Sequence, residues 1–283
     1  MTPTFVFVHG SNGNSRMWAS LQRELALRGH RSLAVDLPGH GRGAGFTAAY
    51  QAPQDLVAFA TAPSPLAGVT YAEGVEHVID TVRRVRAYGP VILVGASRGG
   101  VVLNGVGNAI PDLLDRIVYI SAWCCAEKTV AQYLLGPEWA ASALNEVHGL
   151  MIGDPAALGA VRMNWRSADP ELLTALKRAL LADGTDQQFL GFLSSCEPDD
   201  ILDFGADLVD PDTWGRVPHS YLRLTEDLAM PLALQDLLIE RADAMTPDNP
   251  FDVHSVACSH AGFALPQHVG KVAAILDGVI PAR

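Results

Sequence analysis

Positive charge is scarce in this chain. Of 283 residues only 18% are charged, with 20 Lys and Arg against 31 Asp and Glu and a formal charge of −11. That balance repels phosphate backbones and anionic lipid, so neither nucleic acid nor membrane is an expected partner. Cysteine is nearly missing. Cys124, Cys125, Cys196 and Cys258 include an adjacent pair and no CxxC, which fits neither a disulfide framework nor a zinc site. They read as free packing thiols. Long apolar runs are missing too: Met1-Thr2-Pro3 leads straight into Thr4-Phe5-Val6-Phe7-Val8, with no basic segment ahead of a signal-length stretch. The expectation is a cytoplasmic protein. No HExxH or metal-spaced histidine cluster occurs, and Gly39, Gly41, Gly43 and Gly45 do not fit GxGxxG opening a helix. No cofactor is expected.

What the chain has is apolar material, 49% of its residues, enough for a large core. Much of it falls in short runs. Phe5-Val6-Phe7-Val8 and Val91-Ile92-Leu93-Val94 read as strands buried on both faces, and Arg31 to Asp36 and Ile117-Val118-Tyr119-Ile120 as two further strands. Helical patterns lie between them. Trp18 to Arg28 is closed by Gly29, and the capping box Thr70-Tyr71-Ala72-Glu73 opens a helix with Val75, Val78, Ile79, Val82 and Val85 on one face. This alternation predicts an α/β fold with a mostly parallel sheet and helices on both sides. From Ala126 to Val217 there are helical patches (Glu171 to Leu181, Asp186 to Leu193) but no convincing strand. Strands resume at Ser220 to Leu224 and Phe251 to Val256. The expected organisation is one domain: core residues 1–125, a helical lid over 126–217, and the rest of the core over 218–283. Gln51 to Gly68, rich in Ala and Pro, reads as an ordered loop.

Chemistry enters at Gly95-Ala96-Ser97-Arg98-Gly99. A serine forced into a tight strand-to-helix turn projects beyond the sheet, and glycines two residues either side let the backbone turn. The motif follows an apolar strand and precedes a helix, so Ser97 is the candidate nucleophile. The new helix adds its positive N-terminal end. An oxyanion needs two donors: the Arg98 N–H, and one from the loop His9-Gly10-Ser11-Asn12-Gly13 after the first strand. Ser11 is chosen because Gly10 permits close approach, while His9 braces the loop. For the base, nine histidines compete: His9, His30, His40, His77, His148, His219, His254, His260 and His268. Only His260 sits in a short polar loop between the last strand and a C-terminal helix. The orienting acid is expected between serine and histidine in the chain. Asp227, directly after the Ser220 to Leu224 strand, is the choice, and Glu127, after the preceding strand, is the runner-up. Trp123, Tyr133, Trp139 and Trp165 are the candidate walls of a substrate pocket.

With these residues in place the chain resembles the α/β-hydrolase superfamily, and within it the methylesterase and hydroxynitrile-lyase-like group. The likeness runs nearly end to end, through Phe7-Val8-His9-Gly10, Val35-Asp36-Leu37-Pro38-Gly39-His40-Gly41, the elbow, the lid run Cys196-Glu197-Pro198-Asp199-Asp200, Thr225-Glu226-Asp227 and Ser259-His260. It implies about six strands and gives Asp227 and His260 the acid and histidine roles. Two departures stand out. Ala96 and Arg98 replace the histidine and the Leu, Met or aromatic that usually flank the nucleophile. A cation at Arg98 could pair with a lid carboxylate, meet an anionic substrate, or simply face solvent. The stretch Gly43 to Gly68 is longer than in the plant enzymes of the group and could add a wall to the pocket. Hydroxynitrile lyases of the group carry threonine at the position of Gly10 and lysine at that of Ala261, so the resemblance points to hydrolysis of a small to medium apolar ester, thioester or lactone. The alternatives are a lyase, a tailoring cyclase or dehydratase, or a small-molecule receptor.

Overall fold

Five-residue runs as apolar as Thr4–Val8 need cover on both faces, and the sheet supplies it. The computed structural model describes residues 2–280. Strands β1 (Thr4–Val8), β2 (Arg31–Ala34), β3 (Val91–Ser97), β4 (Arg116–Ala122), β7 (His219–Leu224) and β8 (Asp252–Val256) form one sheet in the order β2-β1-β3-β4-β7-β8. Every pairing is parallel. The remaining strands, β5 (Ala160–Arg162) and β6 (Asp199–Ile201), form a separate antiparallel pair. The central β1, β3 and β4 are almost wholly buried, whereas edge strands β2 and β8 alternate or face solvent.

Alternation of side chains along β1 divides the core in two. Phe5 and Phe7 face a cluster with Trp18 and the helices α1 (Ala19–Leu27) and Pro266–Gly278. Val6 and Val8 face the other cluster, under α3 (Tyr71–Arg86), α4 (Gly99–Ala109) and Leu232–Met245. The capping box on α3 is formed by Thr70 and Glu73 as the sequence predicts, and Gly29 takes a left-handed φ of +83° after α1. The chain leaves β1 toward β2 on one side and returns to β3 on the other. At such a switch point the loops after β1 and β3 diverge and leave a crevice at the C-terminal sheet edge.

Between β4 and β7 the chain rises over that edge as a cap. Helices Pro170–Leu180 and Asp186–Ser195 enclose a small core of their own around Leu176, Leu180, Phe189 and Leu193. Two expectations from the sequence need correction here. The segment is not strand-free, since β5 and β6 pair within it. Near its end the segment returns to the sheet, where Trp214 is fully buried with its ring 4.2 Å from that of His219. The stretch Gln51 to Gly68 is not all loop. It contains α2 (Leu56–Thr61), whose N-cap Asp55 accepts from the Ala58 N–H at 3.0 Å. No residue from 43 to 68 lines the main cavity. Instead Arg162 of β5 donates to the Phe59 and Ala62 carbonyls at 2.6 and 2.7 Å, so this stretch braces the cap from behind.

Candidate active site

Ser97 ends β3 with φ at +53°, in the left-handed region that costs a side-chain-bearing residue roughly 1–2 kcal/mol. The turn is possible because residue 99 is glycine. A Cβ there would lie 2.8 Å from the carbonyl oxygens of both Val8 and His9. Close packing of α4 against the end of β1 thus points Ser97 into the crevice, where it lines a cavity shared with His260.

His260 lies in the loop after β8. Its Nδ1 stands 2.6 Å from Asp227 Oδ2, which leaves Nε2 for the cavity. Asp227 is 2% exposed and held by three more donors. Ser121 Oγ donates to Oδ2 at 2.6 Å, and the Ala229 and Met230 N–H groups donate to Oδ1 at 2.7 and 2.8 Å. Burial pulls the His260 pKa down, but the charge and hydrogen bond of Asp227 outweigh it and leave the net shift upward. Glu127 is at the surface, 3.5 Å from Arg241. Ser121 carries no sequence motif that marks it. Its signal is only its place at the end of β4, beside β7.

Gly10 lies against the serine: a Cβ there would be 3.0 Å from Ser97 Cβ and 3.5 Å from its Oγ. The next N–H belongs to Ser11. Its peptide plane is set through the Gly10 carbonyl, which accepts from His9 Nδ1 at 2.9 Å and from the Gly13 N–H at 3.2 Å. His9 Nε2 in turn accepts from the Leu37 N–H at 3.1 Å. Burial and the neighbouring His40 lower the His9 pKa to about 4, keeping the ring neutral as these bonds require. Among the described residues, the Ser11 and Arg98 N–H groups have no acceptor within the protein.

The Arg98 side chain is not free to meet an anion. Its guanidinium pairs with Asp200 of β6, in the run Cys196 to Asp200. Asp200 Oδ1 also lies 3.5 Å from His40 Nε2, and His40 Nδ1 lies 3.0 Å from Glu197 Oε2. Burial works against a charged His40, but the two carboxylates prevail and raise its pKa to about 9. Two cations and two carboxylates thus form a buried neutral quartet. Its members lie up to 160 residues apart, from His40 to Asp200, so the sequence offered only the pairing of Arg98 with a lid carboxylate, as one option among three.

The cavity has a volume of about 500 Å³ and a mostly apolar lining. Trp123, Trp139 and Trp165 contribute walls. Tyr133 does not: it is buried behind Trp123, ring centroids 6.1 Å apart. Met17, Met151, Met163 and Met230 also line the cavity, and no Asp or Glu does. Among the described residues no cluster of three or more His, Cys, Asp or Glu is arranged to hold a metal ion, and no helix is long and apolar enough to cross a membrane.

A family model described as the alpha/beta hydrolase family matches residues 5–275. The chain belongs to the α/β-hydrolase family. Solved structures with the same fold include polyneuridine aldehyde esterase (18% identity, TM-score 0.73, covering 98% of this chain and 100% of that one). A pyrethroid hydrolase from Sphingobium faniae JZ-2 is 19% identical, with TM-score 0.71 and coverage of 98% and 97%. Tomato methylketone synthase I, complexed with 2-tridecanone, is 15% identical, with TM-score 0.67 and coverage of 99% and 100%. No curated protein matches this α/β-hydrolase in sequence. At these identities the neighbours establish the shared fold.

Proposed function

We propose that this α/β-hydrolase is a serine esterase that cleaves the carboxylic ester, thioester or lactone of an uncharged, apolar, small to medium molecule. One observation carries the reading. His260 is anchored by Asp227 at 2.6 Å and opens onto the same cavity as Ser97, which sits on a strained left-handed turn. Nε2 of His260 takes the Ser97 proton as Oγ attacks the carbonyl carbon, and Asp227 stabilises the resulting imidazolium. The carbonyl oxygen becomes an alkoxide received by the Ser11 and Arg98 N–H groups. Collapse expels the alcohol or thiol, which takes the proton from His260. Water, deprotonated by the same imidazole, then releases the acid and restores Ser97.

The lining supports the substrate class. No carboxylate faces the cavity, and its one Arg is neutralised by Asp200, so a fixed charge on the substrate would meet no partner. The volume of about 500 Å³ falls within the range that houses drug-sized ligands. Four methionines give a wall that adapts to shape rather than dictating it. The neighbours include an esterase, a pyrethroid hydrolase and a synthase holding a long-chain ketone, which is in keeping with a neutral apolar ligand. Gly10 offers no hydroxyl and Ala261 no cation, so the residues that suit cyanide release are missing.

Labelling with a fluorophosphonate followed by mass spectrometry tests the nucleophile: modification is expected at Ser97 and nowhere else. Ser97→Ala should abolish p-nitrophenyl ester turnover, a loss on the order of 10⁶ in comparable cases. More than a few per cent residual turnover would overturn the covalent mechanism. Mandelonitrile should release no cyanide above the buffer rate. Release that vanishes in Ser97→Ala would move the protein to the lyases.

A further inference from the structure

One cap carboxylate touches both segments that would hold the oxyanion, one through its backbone and the other through a side chain. Asp200, the middle residue of β6, is 3% exposed. Its Oδ2 accepts from the N–H of Asn12, the residue after Ser11, at 2.7 Å. Its Oδ1 accepts from the Arg98 guanidinium and from the Ile201 N–H. The two segments enter from different strands, and Asp200 lies 188 residues from one and 102 from the other.

We propose that Asp200 is a positioning residue for the oxyanion site, joining the Ser11 and Arg98 segments to each other and to the cap. The inference rests on the acyl-transfer reading above. Replacing a buried ion pair by apolar groups is often neutral for stability, so stability alone is a weak reason for this carboxylate. What an apolar side chain cannot do is hold two donors from separate segments in register. Asn12 needs such a hold, because its φ of +53° is strained. On the near side of Ser11 the chain is fixed by His9 and Gly13 through the Gly10 carbonyl. On the far side Asp200 takes the Asn12 N–H, while the Asn12 amide reaches the Glu197 carbonyl at 2.9 Å. Loss of the carboxylate frees one end of the two-residue arc that carries the Ser11 N–H. It also frees the side chain that tethers Arg98.

The test compares two ketone inhibitors. A trifluoromethyl ketone adds Ser97 Oγ to its carbonyl, His260 takes the serine proton, and the new alkoxide occupies the oxyanion site. The matching methyl ketone binds without that addition. In Asp200→Asn, kcat and trifluoromethyl ketone affinity should fall together by roughly 10- to 100-fold. KM and methyl ketone affinity should stay within about 3-fold. Asp200→Glu keeps the quartet neutral but moves the carboxylate, and should lose the same two quantities by a smaller factor. If Asp200→Asn does not fold, the Asp200→Glu result decides the question. Asp199→Asn, which breaks the neighbouring pair with Arg162 without touching either segment, should spare both. The proposal is overturned if a folded Asp200 variant keeps both quantities, loses both ketones alike, or is matched by Asp199→Asn. Wild-type protein with no Ser97-dependent turnover or labelling would instead bring down the esterase reading, and this inference with it.

Discussion

Raising the pH from 6.5 through 9 should take a positive charge out of the interior of this protein. His40 is the group concerned: its side chain is 2% exposed and lies 3.0 Å from Glu197 and 3.5 Å from Asp200. Its folded pKa of about 9 exceeds the ordinary 6.5. A histidine whose pKa is raised by folding contributes stability that is complete below the unfolded value and lost as pH rises through the folded one. At 1.36 kcal/mol per unit, the interval corresponds to about 3 kcal/mol. For a chain of this size that is a fall in Tm of roughly 5–10 °C. Beyond the window, two carboxylates face Arg98 alone. Urea unfolding of wild type and His40→Gln at pH 6.5, 7.5, 8.5 and 9 would measure it. The wild type should be the more stable at pH 6.5, and the gap should close as pH rises. Parallel curves would refute a charged His40 in the folded state.

The remaining predictions concern the site. Asp227→Asn should lower kcat by on the order of 10⁴ in ester hydrolysis assays, through loss of the correct His260 tautomer, while Glu127→Gln should do little; the reverse ranking would move the acid to the surface residue. Because the His260 pKa is raised above 6.5 and catalysis needs the neutral ring, the acid limb of kcat/KM should lie above pH 6.5. In Asp227→Asn only the lowering by burial remains, so the residual limb should shift to lower pH. Ser97→Gly should be more stable than Ser97→Ala by about 1 kcal/mol in urea unfolding, because glycine tolerates the left-handed φ. An alanine variant of equal or greater stability would mean the turn is not strained.

The core strands were legible because a strand buried on both faces leaves no choice but a continuous apolar run, bounded by turn residues. Phe5 to Val8 and Val91 to Val94 are of this kind. β5 and β6 were not, since Ala160–Arg162 and Asp199–Ile201 are three residues each and carry Arg162, Asp199 and Asp200 into the interior. Charges there look like loop until their partners are known, and Arg162 and Asp199 lie 37 residues apart. The α2 segment hides for a related reason: Pro53 and Pro63 flank it, and its alanines show no stripe. Among the site residues, Ser97, Asp227 and His260 each occupy a position that the alternation of strands and turns defines locally. Arg98 could not be assigned in that way. Its options stayed open until the fold brought a cap carboxylate beside it. Tyr133 misled because an aromatic in the cap can face the sheet as readily as the cavity.

Backbone strain in this molecule is concentrated where chemistry is expected. Among the described residues, three that are not glycine have φ in the left-handed region: Asn12 at +53°, Ser97 at +53° and Ser121 at +38°. Asn12 follows Ser11, Ser97 is the candidate nucleophile, and Ser121 donates to Asp227. Such conformations cost of order 1–3 kcal/mol each and persist only where the surroundings over-determine them. Each has its restraint. Asn12 is gripped by Asp200 and Glu197, Ser97 by the tight packing of Gly99 on the end of β1, and Ser121 by its bond to Asp227. Relieving any one of them would let the Ser11 N–H, the candidate nucleophile or the partner of Asp227 relax out of the crevice. The strain therefore belongs with positioning: the sheet and cap together hold three short turns in conformations none would adopt alone. The cost is offset by two large apolar cores on either face of a fully parallel sheet.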